Sequence, residues 1–170
     1  MSSLDSASKA EAATAGAATD PADAEHGSVF LDTSALYALF DGDDSRHATA
    51  AQTWEELLRS ESPLHTSSYA LVELSALLQS RLGIGAVDAL GTYVLPWVSV
   101  LWIDQDLHAQ AVAGLLAARR RDLSLVDCAA FAAMRRLGLR RVFTFDGHFA
   151  EQGFILFPAG PQRLEQQRRA

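Results

Sequence analysis

Between residues 28 and 158 the chain alternates short apolar runs with segments whose apolar residues recur every three or four positions. Val29-Phe30-Leu31 reads as a buried strand. Val98 to Ile103, Val142 to Phe145 and Phe154 to Phe157 read the same way, and Leu64-His65-Thr66 is a weaker strand signal. Helical spacing marks Ala35 to Phe40, Ala48 to Leu58, Tyr69 to Leu82, Val87 to Val94, Leu107 to Ala118 and Val126 to Leu137. In the second of these, Trp54, Leu57 and Leu58 share one face. Apolar strands alternating with helices predict an α/β fold whose parallel sheet is covered on both faces. Right-handed crossovers then put the ligand-binding edge at the carboxyl ends of the strands.

The ends of the chain break this pattern. Residues 1–27 are rich in Ala, Ser, Asp and Thr, with almost no large apolar side chain, and are expected to be a disordered tail. Residues 159–170 are expected to be a polar C-terminal tail. No apolar run approaches the ~20 residues that span a bilayer, and the start lacks the basic and apolar regions of a secretory signal. Cytoplasm is the expected compartment, with no membrane association. The single cysteine, Cys128, excludes an intramolecular disulfide and a multi-thiolate zinc site.

A net charge of −7 argues at first against a nucleic-acid partner. Its distribution changes that picture. Residues 1–27 account for −4, and the rest of the chain holds 16 acids against 13 arginines. If four of those acids share a cation site, the folded part presents arginine with little excess acid. Arginine is the only base after Lys9, and its planar fork suits bidentate phosphate binding.

Four carboxylates stand where chemistry is expected. Asp32 directly follows Val29-Phe30-Leu31, and Asp146 directly follows Val142-Phe143-Thr144-Phe145. Each is placed at the carboxyl end of a strand, where two ionised aspartates would repel unless a cation lies between them. Each also reads as a helix N-cap. Glu73 lies in a helix among Leu71, Val72, Leu74, Leu77 and Leu78. A carboxylate there must pair, protonate or bind metal if buried; on a polar helix face it needs no role. Ser124 and Asp127 have the spacing of a capping box, and a helix starting there would aim both at a common cation.

These segments carry a family resemblance. Val29-Phe30-Leu31-Asp32-Thr33-Ser34-Ala35-Leu36 resembles the opening of PIN-domain nucleases, VapC-type toxins in particular. Glu73, preceded by Ser67 and Ser68, resembles their second acidic motif, and Leu123-Ser124-Leu125-Val126-Asp127 their third. Thr144-Phe145-Asp146-Gly147-His148-Phe149 resembles the fourth. The match covers roughly residues 28–158; Cys128, where alanine is commoner, and the N-terminal tail are departures that touch no proposed ligand. The resemblance implies a three-layer α/β/α sandwich and Mg²⁺- or Mn²⁺-dependent hydrolysis of RNA by water. It implies Asp32, Glu73 and Asp127 as the primary catalytic, metal-binding set, with Asp146 in support. Thr33, Ser34 and Ser124 would steady these ligands. A cognate antitoxin that silences the enzyme, and a homodimer, are implied partners.

Other residues bear on the same function. Arg119-Arg120-Arg121, just before the third motif, are candidate RNA phosphate contacts, as well as ordinary charges at a helix C-terminus. His148 reads as a surface-loop histidine, with phosphate contact or proton transfer as the functional alternative. Trp54, Trp97 and Trp102 read as core or interface. No phosphate-binding Gly-rich loop and no G-x-S-x-G turn occurs. Two other functions fit parts of the pattern: a catalytically silent PIN-like module that binds RNA or protein, and a receiver-like domain with Asp32 as phosphoacceptor.

Overall fold

The computed structural model describes residues 27–158. The expectations for the two tails therefore lie outside the described residues, apart from Gly27, whose carbonyl accepts from Arg141 Nη1 at 2.8 Å.

Five strands form one parallel sheet: β1 (Val29–Leu31), β2 (Leu64–Ser67), β3 (Val98–Leu101), β4 (Arg141–Phe143) and β5 (Ile155–Phe157), in the order β3-β2-β1-β4-β5. The helices are α1 (Thr33–Phe40), α2 (His47–Arg59), α3 (Ser68–Arg81), α4 (Ile84–Ala89), α5 (Gln105–Ala118), α6 (Leu125–Leu137) and the four-residue α7 (His148–Glu151). The expected sandwich is the one observed. β1 is central, and Val29, Phe30 and Leu31 are all fully buried because alternate side chains feed opposite cores. Val29 and Leu31 join Leu36, Leu57, Leu74, Leu78 and Phe143 on one face. Phe30 joins Phe131, Met134, Val142 and Phe149 on the other. On that second side α6 is buried continuously from Cys128 to Met134, held between the sheet and α5.

The chain builds outward from β1 through β2 to β3, then returns to the opposite side of β1 for β4 and β5. The switch point lies between β1 and β4, the place where open α/β sheets bind ligands in a crevice at the carboxyl ends of the strands.

Several boundaries differ from the sequence reading, each for a local reason. The strand expected to reach Phe145 stops at Phe143. Beyond it the Phe145 N–H is taken by Ser34 Oγ at 3.0 Å and the Asp146 N–H by Thr144 Oγ1 at 2.9 Å, so hydroxyls replace the ladder. The strand expected to reach Ile103 stops at Leu101, and the Ile103 N–H goes to Ser68 Oγ at 3.0 Å. The helix expected over Val87 to Val94 begins earlier, after Gly83 at φ +87°, and loosens into a π turn over Leu90–Val94. A 3₁₀ turn over Leu95–Trp97 follows, where Pro96 cannot donate to a continuing helix. α7 is too short to show a period. Trp54 packs against the core, while Trp97 and Trp102 are 63% and 75% exposed, which removes the core reading for them and leaves the interface one. They flank β3, which is an edge strand among the described residues.

Candidate metal centre

Asp32 is the residue on which the crevice is built. It ends β1, its N–H donates to the Phe143 carbonyl at 3.0 Å, and it caps α1. Its side chain is 5% exposed. Three donors converge on its Oδ2: the Ser34 N–H at 3.2 Å, Ser34 Oγ at 2.6 Å and Thr144 Oγ1 at 2.8 Å. Ser34 Oγ and Thr144 Oγ1 are 3.2 Å apart, but each spends its hydrogen on Asp32 and accepts a backbone N–H, so neither donates to the other. Since the described hydrogen bonds all fall on Oδ2, Oδ1 is left for another partner.

Burial pushes the Asp32 carboxyl up to about 6 from its ordinary 3.8, against the pull of those hydroxyl and amide bonds. The charge of Asp127 raises it a little further. Asp127 is held by the capping box that its spacing to Ser124 predicts: Oδ2 accepts from the Ser124 N–H at 2.7 Å, and Ser124 Oγ accepts from the Asp127 N–H at 3.0 Å. Ser124 thus serves the helix start. Thr33 also turns elsewhere: its hydroxyl donates to the Ala70 carbonyl at 3.4 Å and ties the end of β1 to α3. Of the three hydroxyls singled out in the sequence, that of Ser34 bonds a candidate ligand's carboxylate, that of Ser124 bonds a candidate ligand's backbone N–H, and that of Thr33 touches neither.

Asp146 leaves the loop after β4. Its Oδ1 accepts from the His148 N–H at 2.9 Å, and its Oδ2 lies 3.1 Å from His148 Nδ1. Asp127, Asp146 and His148 each offer an atom within 4.8 Å of the others, a spacing able to hold a metal ion. Asp32 and Glu73 lie outside that group. Glu73 is half-buried on α3, one turn beyond the Ala70 carbonyl that Thr33 holds. α3 packs against both α1 and α6, and helical side chains lean toward the helix N-terminus, here the carboxyl end of β2.

The sequence reading did not give the contacts of two participants. Thr144 lies inside the fourth motif, yet its bond to Asp32 spans 112 residues and has no local signature. His148 was read as a surface histidine; its side chain is mostly covered and faces Asp146 on one side and Asp122 on the other. The Asp122 carboxylate, above all, raises the His148 pKa over its ordinary value. Asp122 in turn pairs with Arg120 through two bonds, Nε to Oδ1 at 3.1 Å and Nη2 to Oδ2 at 2.8 Å, and Arg120 Nη1 also bonds Glu151. Arg119, in the left-handed conformation at φ +50°, and Arg121 are exposed.

The donor set suits a hard divalent cation. The clustered donors are mostly oxygen, and Asp32, outside that group, is a buried carboxylate whose described partners carry no positive charge. A groove of about 580 Å³ between α5, α6 and α7, lined by Gly114, Leu123, Cys128 and Phe131 among others, contains none of the four carboxylates. A nucleic-acid strand needs an open edge rather than a closed cavity.

Comparison with known proteins agrees with this geometry. The PIN domain profile matches residues 29–155. Over 129 residues the chain is 36% identical to the "23S rRNA-specific endonuclease VapC20" of Mycobacterium tuberculosis, covering 75% of this chain and 95% of that protein. The crystal structure of that organism's VapC20, described as a sarcin-ricin loop cleaving toxin, superposes with a TM-score of 0.67 at 37% identity, covering 75% of this chain and 97% of that one. FitAcB from Neisseria gonorrhoeae shares the fold, with a TM-score of 0.58 at 16% identity, covering 76% of this chain and 96% of that one. The strand order also differs from the 2-1-3-4-5 order of receiver-type domains.

Proposed function

The chain belongs to the PIN-domain family, and on that footing we propose that it is a VapC-type ribonuclease that hydrolyses RNA phosphodiester bonds with Mg²⁺ or Mn²⁺ held by Asp32, Glu73, Asp127 and Asp146. The observation that carries this reading is Asp32. It is a carboxylate buried at the sheet's switch point, beside a second carboxylate, with one oxygen saturated by hydroxyls and the other unassigned. Such a group is stabilised by a cation and strained without one. When bound, the ion supplies positive charge at the scissile phosphate and makes a water there more acidic.

The protein's own part is positioning. Ser34 and Thr144 fix the Asp32 carboxylate, the capping box fixes Asp127, and His148 fixes Asp146. Arg119 and Arg121 stand free on the surface just before the third motif, placed to contact phosphates without reading sequence. Arg120, the third arginine of that run, is occupied by Asp122 and Glu151.

The relationship to VapC20 extends the proposal to ribosomal RNA as substrate class. It also supports an antitoxin partner, whose arginine would complement the carboxylates, and a homodimer. No helix among the described residues is long and apolar enough to cross a membrane, which suits action in the cytoplasm, where that RNA resides. Residues 28–158 constitute the nuclease domain.

The test is cleavage of a total-RNA pool and of purified ribosomes by the full chain, with and without EDTA. Wild type should cut in Mn²⁺ or Mg²⁺ and stop in EDTA; Asp32→Asn should not cut in either. EDTA-insensitive cleavage, or cleavage by Asp32→Asn, would remove the metal site from the reading. Metal binding with no cleavage of any RNA would favour the silent binding module.

A further inference from the structure

Four side chains outside the proposed ligand set form a continuous bridge between the two segments that deliver Asp127 and Asp146. The first segment is the turn between α5 and α6, which carries Arg120 and Asp122 and runs into Ser124, the cap of α6. The second is the loop after β4, which carries Asp146 and opens α7 with His148 and Glu151. Asp122 Oδ2 lies 3.2 Å from His148 Nε2, and the other ring nitrogen lies 3.0 and 3.1 Å from the two Asp146 oxygens. Behind Asp122, the Arg120 guanidinium holds both of its oxygens and also reaches Glu151, one turn beyond His148. The imidazole is thus fixed at both nitrogens between a proposed ligand and a carboxylate that belongs to no ligand set.

This rests on the metal-nuclease reading above and deepens it. We propose that Asp122 is a positioning residue of the metal centre: it holds His148, which holds Asp146, while Arg120 locks Asp122 to α7. In this arrangement His148 turns no nitrogen lone pair toward the ion; it is a support, although its spacing to Asp127 and Asp146 would allow it to ligate. The geometry also separates Arg120 from its neighbours. Its Nε, Nη1 and Nη2 are all engaged by carboxylates, so it is a clamp, and the phosphate-facing role falls to Arg119 and Arg121. Groups that orient metal ligands in this way commonly account for ~10–100-fold in metal affinity.

The experiment is Mn²⁺ titration by calorimetry of the full chain, in the absence of RNA, for wild type, Asp122→Asn, His148→Gln and the double variant. Asp122→Asn keeps the shape of an exposed side chain, and apo denaturation curves verify that each variant folds; Asp122→Ser replaces it if the asparagine variant does not. Asp122→Asn and His148→Gln should each weaken Mn²⁺ about tenfold, and the double variant should be no weaker than His148→Gln alone, because both act along one chain. Echo-detected electron paramagnetic resonance of bound Mn²⁺ should show no coupled imidazole nitrogen. Wild-type affinity in Asp122→Asn, or effects that multiply in the double variant, would overturn the proposal. A coupled nitrogen would make His148 a ligand and overturn it as well. If wild type itself binds no Mn²⁺, the failure lies in the metal-nuclease reading beneath it.

Discussion

Replacing Asp32 by Asn should destroy RNA cleavage and at the same time make the metal-free protein more stable. The carboxyl group titrates at about 6 in the folded chain against an ordinary 3.8, with burial as the leading cause. Each tenfold in a proton equilibrium is about 1.4 kcal/mol, so ionised Asp32 costs the apo fold about 3 kcal/mol at neutral pH. The side chain is nearly fully buried, so solvent screening removes little of that. The amide can inherit the existing contacts, since the three donors meet one oxygen, Oδ2, and the amide oxygen can take that place. Hydrogen bonds to a neutral acceptor are weaker than to a charged one, so a net gain of about 1–2 kcal/mol is expected, roughly 3–8 °C in Tm. The sign of the pH dependence follows. A folded acid titrating above its unfolded value loses stability as pH rises from about 4 to about 6, and regains it on acidification. His148, raised by its carboxylate partners, contributes stability that is also lost as pH rises through its folded value. The two effects share a direction, and only the difference between wild type and Asp32→Asn isolates Asp32. Urea unfolding in EDTA should place Asp32→Asn above wild type at pH 7.5, with the gap closing near pH 4. Adding Mn²⁺ should raise wild type and leave Asp32→Asn unmoved. A variant less stable than wild type in EDTA at pH 7.5 would refute the claim that this carboxylate is strained without its ion.

Cleavage should depend on pH and metal together: at limiting Mn²⁺ the rate should climb as pH rises through about 6, where Asp32 ionises, and saturating Mn²⁺ should move that midpoint lower. A midpoint unaffected by metal concentration in single-turnover assays would contradict it. Leu74→Ala, at a fully buried position on α3, should cost about 2–5 kcal/mol in urea unfolding, whereas Val72→Ala two residues earlier, 71% exposed, should stay within about 0.5. Asp127→Ala should lower stability by about 1 kcal/mol through loss of the capping box as well as abolishing cleavage, while Asp127→Asn should abolish cleavage with a smaller loss of stability.

Much of the architecture was legible because fully buried parallel strands must be apolar along their whole length. Val29-Phe30-Leu31 could hardly be anything else, and an aspartate directly behind it stands out. The same logic overran at the other strand ends, where Thr144, Phe145 and Trp102 still look like strand residues. At Phe145 and Ile103 the N–H goes to a hydroxyl on another element, Ser34 and Ser68, and a period along one segment carries no trace of it. The capping box announced itself, since both partners lie within three residues. Thr144 on Asp32 did not, and neither did the bridge from Arg120 to Asp146, which joins residues up to 31 apart through side chains alone. The exposure of Trp97 and Trp102 depends on β3 being an edge strand, which follows from strand order and not from local composition.

The return of the chain across β1 also sets a schedule. Asp32 is laid down near the start of the domain, but the hydroxyl that fixes it and the aspartate of the loop after β4 arrive 112 and 114 residues later. Contacts of that separation form late, after the loop between them has closed. If the proposed centre is right, a chain emerging from a ribosome lacks part of it until β4 has left the exit tunnel and docked, and a product ending before Thr144 should be inert. This strand order thus ties assembly of the proposed metal centre to the docking of β4.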